Sequence, residues 1–229
     1  MLSVVPTPIG NLKDLTRRAL TILQTTDYIA AEDTRHVQIL LQRYEIKKPC
    51  LSFHGHSSDA QIAKIIGLLK EGKNIALVSD AGTPGISDPA YRLVRAVIEN
   101  HMQLTCLPGP TAFLPALTAS GFSTKKFLYL GFLPIKKGRQ TLLNTLKNES
   151  RTVVFYESPH RILKTVDQLA AACGRERRIV LARELTKIHE TIDRGTIGKI
   201  QMLLQKQPPR GEYVVVLEGI KVAQHHTSD

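Results

Sequence analysis

The chain has 229 residues, 42% hydrophobic and 22% charged, which suits an α/β protein with a buried core. Its longest apolar runs fall far short of a membrane span. The opening MLSVVPTPIGNL has no basic leader and is broken by Pro6 and Pro8, and Cys50, Cys106 and Cys173 lack metal-ligand spacing. These features argue against membrane, secreted and zinc-bound classes, and a cytoplasmic location is expected. Lysine and arginine number 31 against 20 acidic residues, and the net charge of +11 fits a polyanion partner as well as it fits simple solubility. With six Tyr, six Phe and no Trp, phosphate contacts are expected ahead of a base-stacking platform.

In chain order, short β-branched runs at 2–5, 28–31, 50–53, 75–79 and 103–107 alternate with amphipathic segments near 13–23, 34–43, 58–70 and 89–99; a further helix lies near 111–120. Helices between successive strands imply crossovers and a largely parallel sheet. Start signals agree: residues 14–16 open the first helix, Ser57-Ser58-Asp59 the third and Ser87-Asp88-Pro89 the fourth. The stretch GFSTKKFLYLGFLPIKKGRQT breaks this rhythm, which places a domain connection near 121–125. Beyond it, strands are predicted at 127–131, 152–156, 178–183, 189–193 and 213–218, with helices at 139–148, 160–173 and 196–206. Strands adjacent in sequence predict a mixed sheet in this half. The predicted domains are therefore 1–121 and 122–229, and the tail KVAQHHTSD is expected to fray.

Three Gly/Pro-rich loops follow strands of the first half: PTPIGN (6–11), SDAGTPGISDP (79–89) and PGPTA (108–112). Ligands of open α/β sheets bind beyond the carboxyl ends of strands, so these loops are placed to line one site. Neither GxxxxGK[ST] nor GxGxxG is present among them, which sets aside the common nucleotide-phosphate loops. One such loop is simply a tight turn; three at one edge point to a ligand. His54 and His56 in FHGHSS have no accompanying cluster of metal ligands, and no metal is expected.

The ordered set PTPIGNLKDLT, AAEDTR, SDAGTPGISDPAY, LPGPTAF, GFLP, FYESPHR, ARELTKIHE and GEYVVV runs nearly the length of the chain and resembles the tetrapyrrole methylase superfamily. SDAGTPGISDP and FYESPHR are its most specific parts. Tetrapyrrole enzymes of that superfamily carry a GxGxGD-like first loop; PTPIGN departs from it and points to the branch that modifies ribosomal RNA. The resemblance implies a class III methyltransferase: two α/β domains, S-adenosylmethionine in the interdomain cleft, and a homodimer. The implied activity is 2′-O-methylation of a cytidine of small-subunit (16S) ribosomal RNA near the decoding centre, with that RNA or the 30S subunit as partner. A tetrapyrrole C-methyltransferase and a non-catalytic ribosome-assembly factor are the alternatives.

Matching motif positions imply that Pro8, Ile9, Asp80, Gly82, Thr83, Thr111 and Ala112 line the donor site, with Tyr156, Arg183 and Glu212 from the second domain. A ribose hydroxyl is a poor nucleophile until its proton leaves, so a base is sought. Glu32, Asp33, Glu157, Glu184 and Lys187 are candidates, each also fit for ion pairing, and the sequence does not choose among them. Arg35, Lys136, Lys137, Arg139 and Arg161, near loops or helix starts, are the expected RNA contacts, with a solvated basic face as the competing role.

Overall fold

The computed structural model describes residues 1–206 and 208–220; the tail, 221–229, lies outside the described residues. The chain divides into two compact units, Met1–Thr111 and Ala112–Asp229.

The first unit holds five strands, β1 (Leu2–Val4), β2 (Tyr28–Ala31), β3 (Cys50–Ser52), β4 (Ile75–Val78) and β5 (Leu104–Cys106). They pair in the order β3-β2-β4-β1-β5, and every pairing is parallel. Strands β1 and β4 are buried throughout, as a parallel sheet covered on both faces requires. One core gathers Leu2, Phe53, Ile65, Leu77 and Leu93; another gathers Leu23, Ile29, Val37, Leu41 and Val78. Caps fix where the intervening helices start. Thr16 accepts from the Ala19 amide ahead of α1 (Arg17–Thr25), Asp33 from Arg35 ahead of α2 (Thr34–Arg43), and Ser58 from Gln61 ahead of α3 (Asp59–Lys70). Ahead of α4 (Ala90–Glu99), Asp88 takes the amides of Gly85 and Ala90, each at 2.8 Å. The first helix starts later than expected, because Asn11 caps a separate 3₁₀ turn, Leu12–Asp14, and Leu15 is extended.

The second unit carries β6 (Phe127–Phe132), β7 (Thr152–Glu157), β8 (Arg178–Arg183), β9 (Thr191–Thr196) and β10 (Tyr213–Leu217), ordered β6-β7-β10-β8-β9. Only β6–β7 is parallel, so the sheet is mixed as predicted. Its core includes Val153, Phe155, Leu181 and Val215 beneath α6 (Arg139–Leu146), α7 (Ile162–Cys173) and α8 (Ile197–Lys206). Strand β9 begins two residues after its expected start, because residues 187–190 form a turn closed by the Glu190 amide on the Lys187 carbonyl.

Helix α5 (Phe113–Ser120), read from sequence as the end of the first domain, contacts β7, β8, β9 and β10. Arg194 of β9 donates from Nε to the Ala119 carbonyl at 3.0 Å, and Phe113 stacks on Tyr129 at 4.5 Å. The division therefore falls before α5, at Thr111–Ala112, and not at 121–122.

Candidate functional site

At the carboxyl ends of β1, β4 and β5 the three Gly/Pro-rich loops are tied to one another. Thr7 and Gly82 exchange two backbone hydrogen bonds, of 2.9 and 3.0 Å. Thr83 Oγ1 donates to the Pro110 carbonyl at 2.8 Å and lies 2.6 Å from Thr111 Oγ1. Two glycines make this possible. Gly82 sits at φ +82°, in the left-handed region, and a Cβ on Gly109 would stand 2.5 Å from Pro6 Cβ. Of the first-unit donor residues the sequence nominated, the structure thus joins Gly82, Thr83 and Thr111 directly, and Ile9 Cγ2 lies 3.3 Å from where a Gly82 Cβ would be. Pro8 and Ile9 are half-buried in the first loop, whereas Ala112 falls in the second unit.

Asp80 is exposed at the same rim, and its Oδ1 accepts the Asp33 amide at 3.0 Å, linking the β4 loop to AAEDTR. Its Oδ2 has no partner among the described residues, so it is available to an ammonium or hydroxyl donor. The neighbouring acids differ in proton affinity. Partial burial, then the negative charges of Asp80 and Asp88, raise Glu32 above the usual carboxylate range, opposed by His54. The guanidinium of Arg35 hydrogen-bonds Asp33 and holds it at about 2. Of this pair only Glu32 is shifted toward holding a proton, whereas Asp33 is shifted away from it.

In the second unit, the ends of β6, β7 and β8 and the start of β10 meet at one edge, where Tyr213 is paired with both Glu157 and Arg183. GFLP, FYESPHR, ARELTK and GEYVVV therefore converge. Tyr156 meets Tyr129 edge-on at 5.6 Å and Phe132 at 5.4 Å; burial, then Tyr129, raises its phenol. After β8 the backbone turns through positive φ at Glu184 (50°) and Thr186 (67°), a conformation that costs on the order of 1–3 kcal/mol per non-glycine residue. A Cβ on Gly211 would strike the Glu184 side chain. Lys187 Nζ bridges Glu184 at 2.9 Å and Glu212 at 3.0 Å. Burial pulls Lys187 down, but these two carboxylates outweigh it and the net shift is upward, so the amine stays protonated. Burial pushes Glu184 up; the Glu212 amide and Lys187 outweigh it and leave the carboxyl lowered. Neither is tuned to act as a base. Arg183 Nε and Thr186 Oγ1 are buried without a partner among the described residues, an incompleteness that a bound polar group would relieve.

Glu157 is occupied. It pairs with Arg161 at 2.7 Å and Arg139 at 3.5 Å, and accepts from Thr165 Oγ1 at 2.7 Å. This corrects the sequence reading of Arg139 as an RNA contact: it is 6% exposed, and its guanidinium is used within the unit. Arg161 is three-quarters buried in the same network, whereas Lys136 and Lys137 are exposed and Arg35 is nearly free of cover. Thr165 and Gln168 were not singled out from sequence, although the spacing 161–165–168 puts them on one helical face with Arg161. Among the described residues no group of three His, Cys, Asp or Glu could hold a metal, and no helix is long and apolar enough to cross a membrane.

The family model for Tetrapyrrole (Corrin/Porphyrin) Methylases matches residues 1–201, and the chain belongs to this family. It is similar to ribosomal RNA small subunit methyltransferase I of Thermotoga maritima, with 47% identity over 218 residues covering 95% of this chain and 98% of the relative. The protein of the same name from Escherichia coli O157:H7 is 46% identical over 226 residues, 97% of this chain and 79% of its own length. Among solved structures, a cobalt precorrin-4 methyltransferase matches with a TM-score of 0.69 at 16% identity, covering 95% of this chain and 94% of that one. Uroporphyrin-III C-methyltransferase from Thermus thermophilus, complexed with S-adenosylhomocysteine, gives 0.65 at 14% identity and 95% and 96% coverage. The fold is thus that of the tetrapyrrole methylases, with two α/β units.

Proposed function

We propose that the chain is a methyltransferase that uses S-adenosylmethionine to methylate small-subunit (16S) ribosomal RNA, and that the acceptor is the 2′-hydroxyl of a cytidine near the decoding centre. What carries this reading is near-full-length likeness, at 46–47% identity, to relatives named for that RNA. The tied loops of the first unit support the donor assignment. Their amides and carbonyls, the Thr83 and Thr111 hydroxyls and the Asp80 carboxylate suit adenine, ribose and amino-acid groups. Pro8 and Ile9 supply apolar contact in the same loops, and donor contacts by Ala112, Tyr156, Arg183 and Glu212 belong to the same proposal.

The donor, when bound, supplies an electrophilic methyl on a sulfonium. In that proposal the first-unit loops would hold the donor, its methyl would pass to the ribose oxygen with S-adenosylhomocysteine as the leaving product, and the Glu32 carboxylate would take the hydroxyl proton. Holding the reacting atoms about 3–3.5 Å apart lowers the barrier by roughly 7–11 kcal/mol, and the base adds about 10²- to 10⁴-fold. Glu32 is preferred because Glu157 is ion-paired, Glu184 is lowered and Lys187 is held protonated. Exposed Lys136, Lys137 and Arg35 meet RNA phosphates. The protein acts in the cytoplasm as a homodimer. Incubation with labelled donor and 30S subunits from cells lacking this protein tests the reading: label in 16S RNA is expected, and label appearing only in an added tetrapyrrole would overturn it.

A further inference from the structure

A buried carboxylate in the second unit stands outside the reaction just described. Glu157, 1% exposed, accepts from Ser158 N at 2.9 Å and Thr165 Oγ1 at 2.7 Å, and pairs with Arg139 and Arg161. A buried ion pair is weak evidence of a stabilising purpose, because apolar side chains of equal volume can serve as well. The other N–H groups of the two arginines are more informative. Arg161 Nη1 donates to the Leu133 carbonyl at 3.2 Å, and Arg139 Nη1 donates to the Pro134 carbonyl at 2.9 Å. Arg139 is itself fixed by Gln168 Oε1 at 2.9 Å and Thr165 Oγ1 at 2.6 Å, and its amide closes on the Lys136 carbonyl at 3.2 Å.

The segment held in this way, 133–138, has no regular secondary structure, yet its carbonyls are gripped from beneath. Its other face is open. Phe132 is 56% and Ile135 75% exposed, and Lys136 and Lys137 project beside them. Drawing carbonyl oxygens inward and cations outward gives a fixed positive edge, which is complementary to the phosphates of a structured RNA.

We propose that residues 132–138 form a rigid RNA-docking strap and that Glu157 is its positioning residue, acting through Arg139 and Arg161. This rests on the RNA reading above. A double-mutant cycle between Glu157→Gln and the pair Lys136→Ala/Lys137→Ala tests it, reading binding of 16S RNA, KM for RNA, kcat and calorimetric affinity for S-adenosylmethionine. Glu157→Gln should weaken RNA binding and raise its KM about tenfold, with kcat and donor affinity kept, and removing the lysines should cost much less in that background than in the wild type. Fully additive losses, or wild-type RNA binding by folded Glu157→Gln, would overturn the strap. Should Glu157→Gln melt below the assay temperature, Pro134→Gly, which loosens the strap's own backbone and leaves the buried side chains intact, must give the same split; unaltered RNA affinity there rejects the proposal equally. Wild-type protein that binds no RNA would instead overturn the underlying reading, and the strap with it.

Discussion

Glu32 and Asp80 sit on neighbouring loops and divide the work proposed for the first unit. Replacing Glu32 by Gln should lower kcat about 10²- to 10⁴-fold while donor affinity holds. In single-turnover assays, wild-type activity should rise with pH along an acid limb above 4.5, the ordinary value for this side chain, because the base must first lose its proton. Stability should run the other way. A carboxyl raised in the native state favours folding below its unfolded value, and that contribution is lost as pH rises through the native value. Glu32→Gln should therefore melt above wild type at pH 7, with the gap closing toward pH 4; an equal gap at both would contradict the raised proton affinity that burial, Asp80 and Asp88 give Glu32. Asp80→Ala should weaken donor binding about 10- to 100-fold by calorimetry, as expected for loss of a charged acceptor, without unfolding the protein. The sequence nominated both residues but could not rank the acids. Their ranking depends on the partial burial of Glu32 and on Asp80 and Asp88 standing near it, an environment made across separate loops.

Loops and strands carry the next level. The rim of the first unit depends on two places where backbone must approach closely, and Gly109→Ala should force Pro6 aside. Overpacking of this kind costs about 1–3 kcal/mol, and a fall in melting temperature together with weaker donor binding is expected. Donor affinity unchanged in a folded variant would separate PGPTA from the site. On the second unit, Lys136→Ala/Lys137→Ala should reduce the slope of log affinity against log salt by about 2, or about 1 for each phosphate no longer neutralised; an unaltered slope would remove these lysines from the interface. The ten strands were legible because β-branched runs and turn residues alternate cleanly. Some boundaries were not. Asn11 caps a turn of its own before Thr16 caps the helix, residues 187–190 fold into a turn ahead of β9, and α5 is apolar enough that periodicity could not say which sheet it covers. The Arg139–Glu157–Arg161 network was hidden for the same reason: an arginine in a basic, Gly-rich stretch reads as surface until its partners, 18 and 26 residues away, are seen.

For the whole molecule, the parallel and the mixed sheet are each assembled so that chemistry-bearing loops share an edge: three tied loops in one unit, four strand ends in the other. The family follows from motifs distributed along the entire chain, and solved structures only 13–18% identical keep the fold. Fold alone does not choose between a carbon of a tetrapyrrole and an oxygen of a ribose. Relatives named for ribosomal RNA and the excess of basic residues favour RNA over a tetrapyrrole, and the ribose oxygen is the acceptor proposed. The position of the transferred methyl decides it. After reaction with isotopically labelled S-adenosylmethionine, 16S RNA digested to nucleosides and read by mass spectrometry should give 2′-O-methylcytidine carrying the label; label found only on a base would contradict the account.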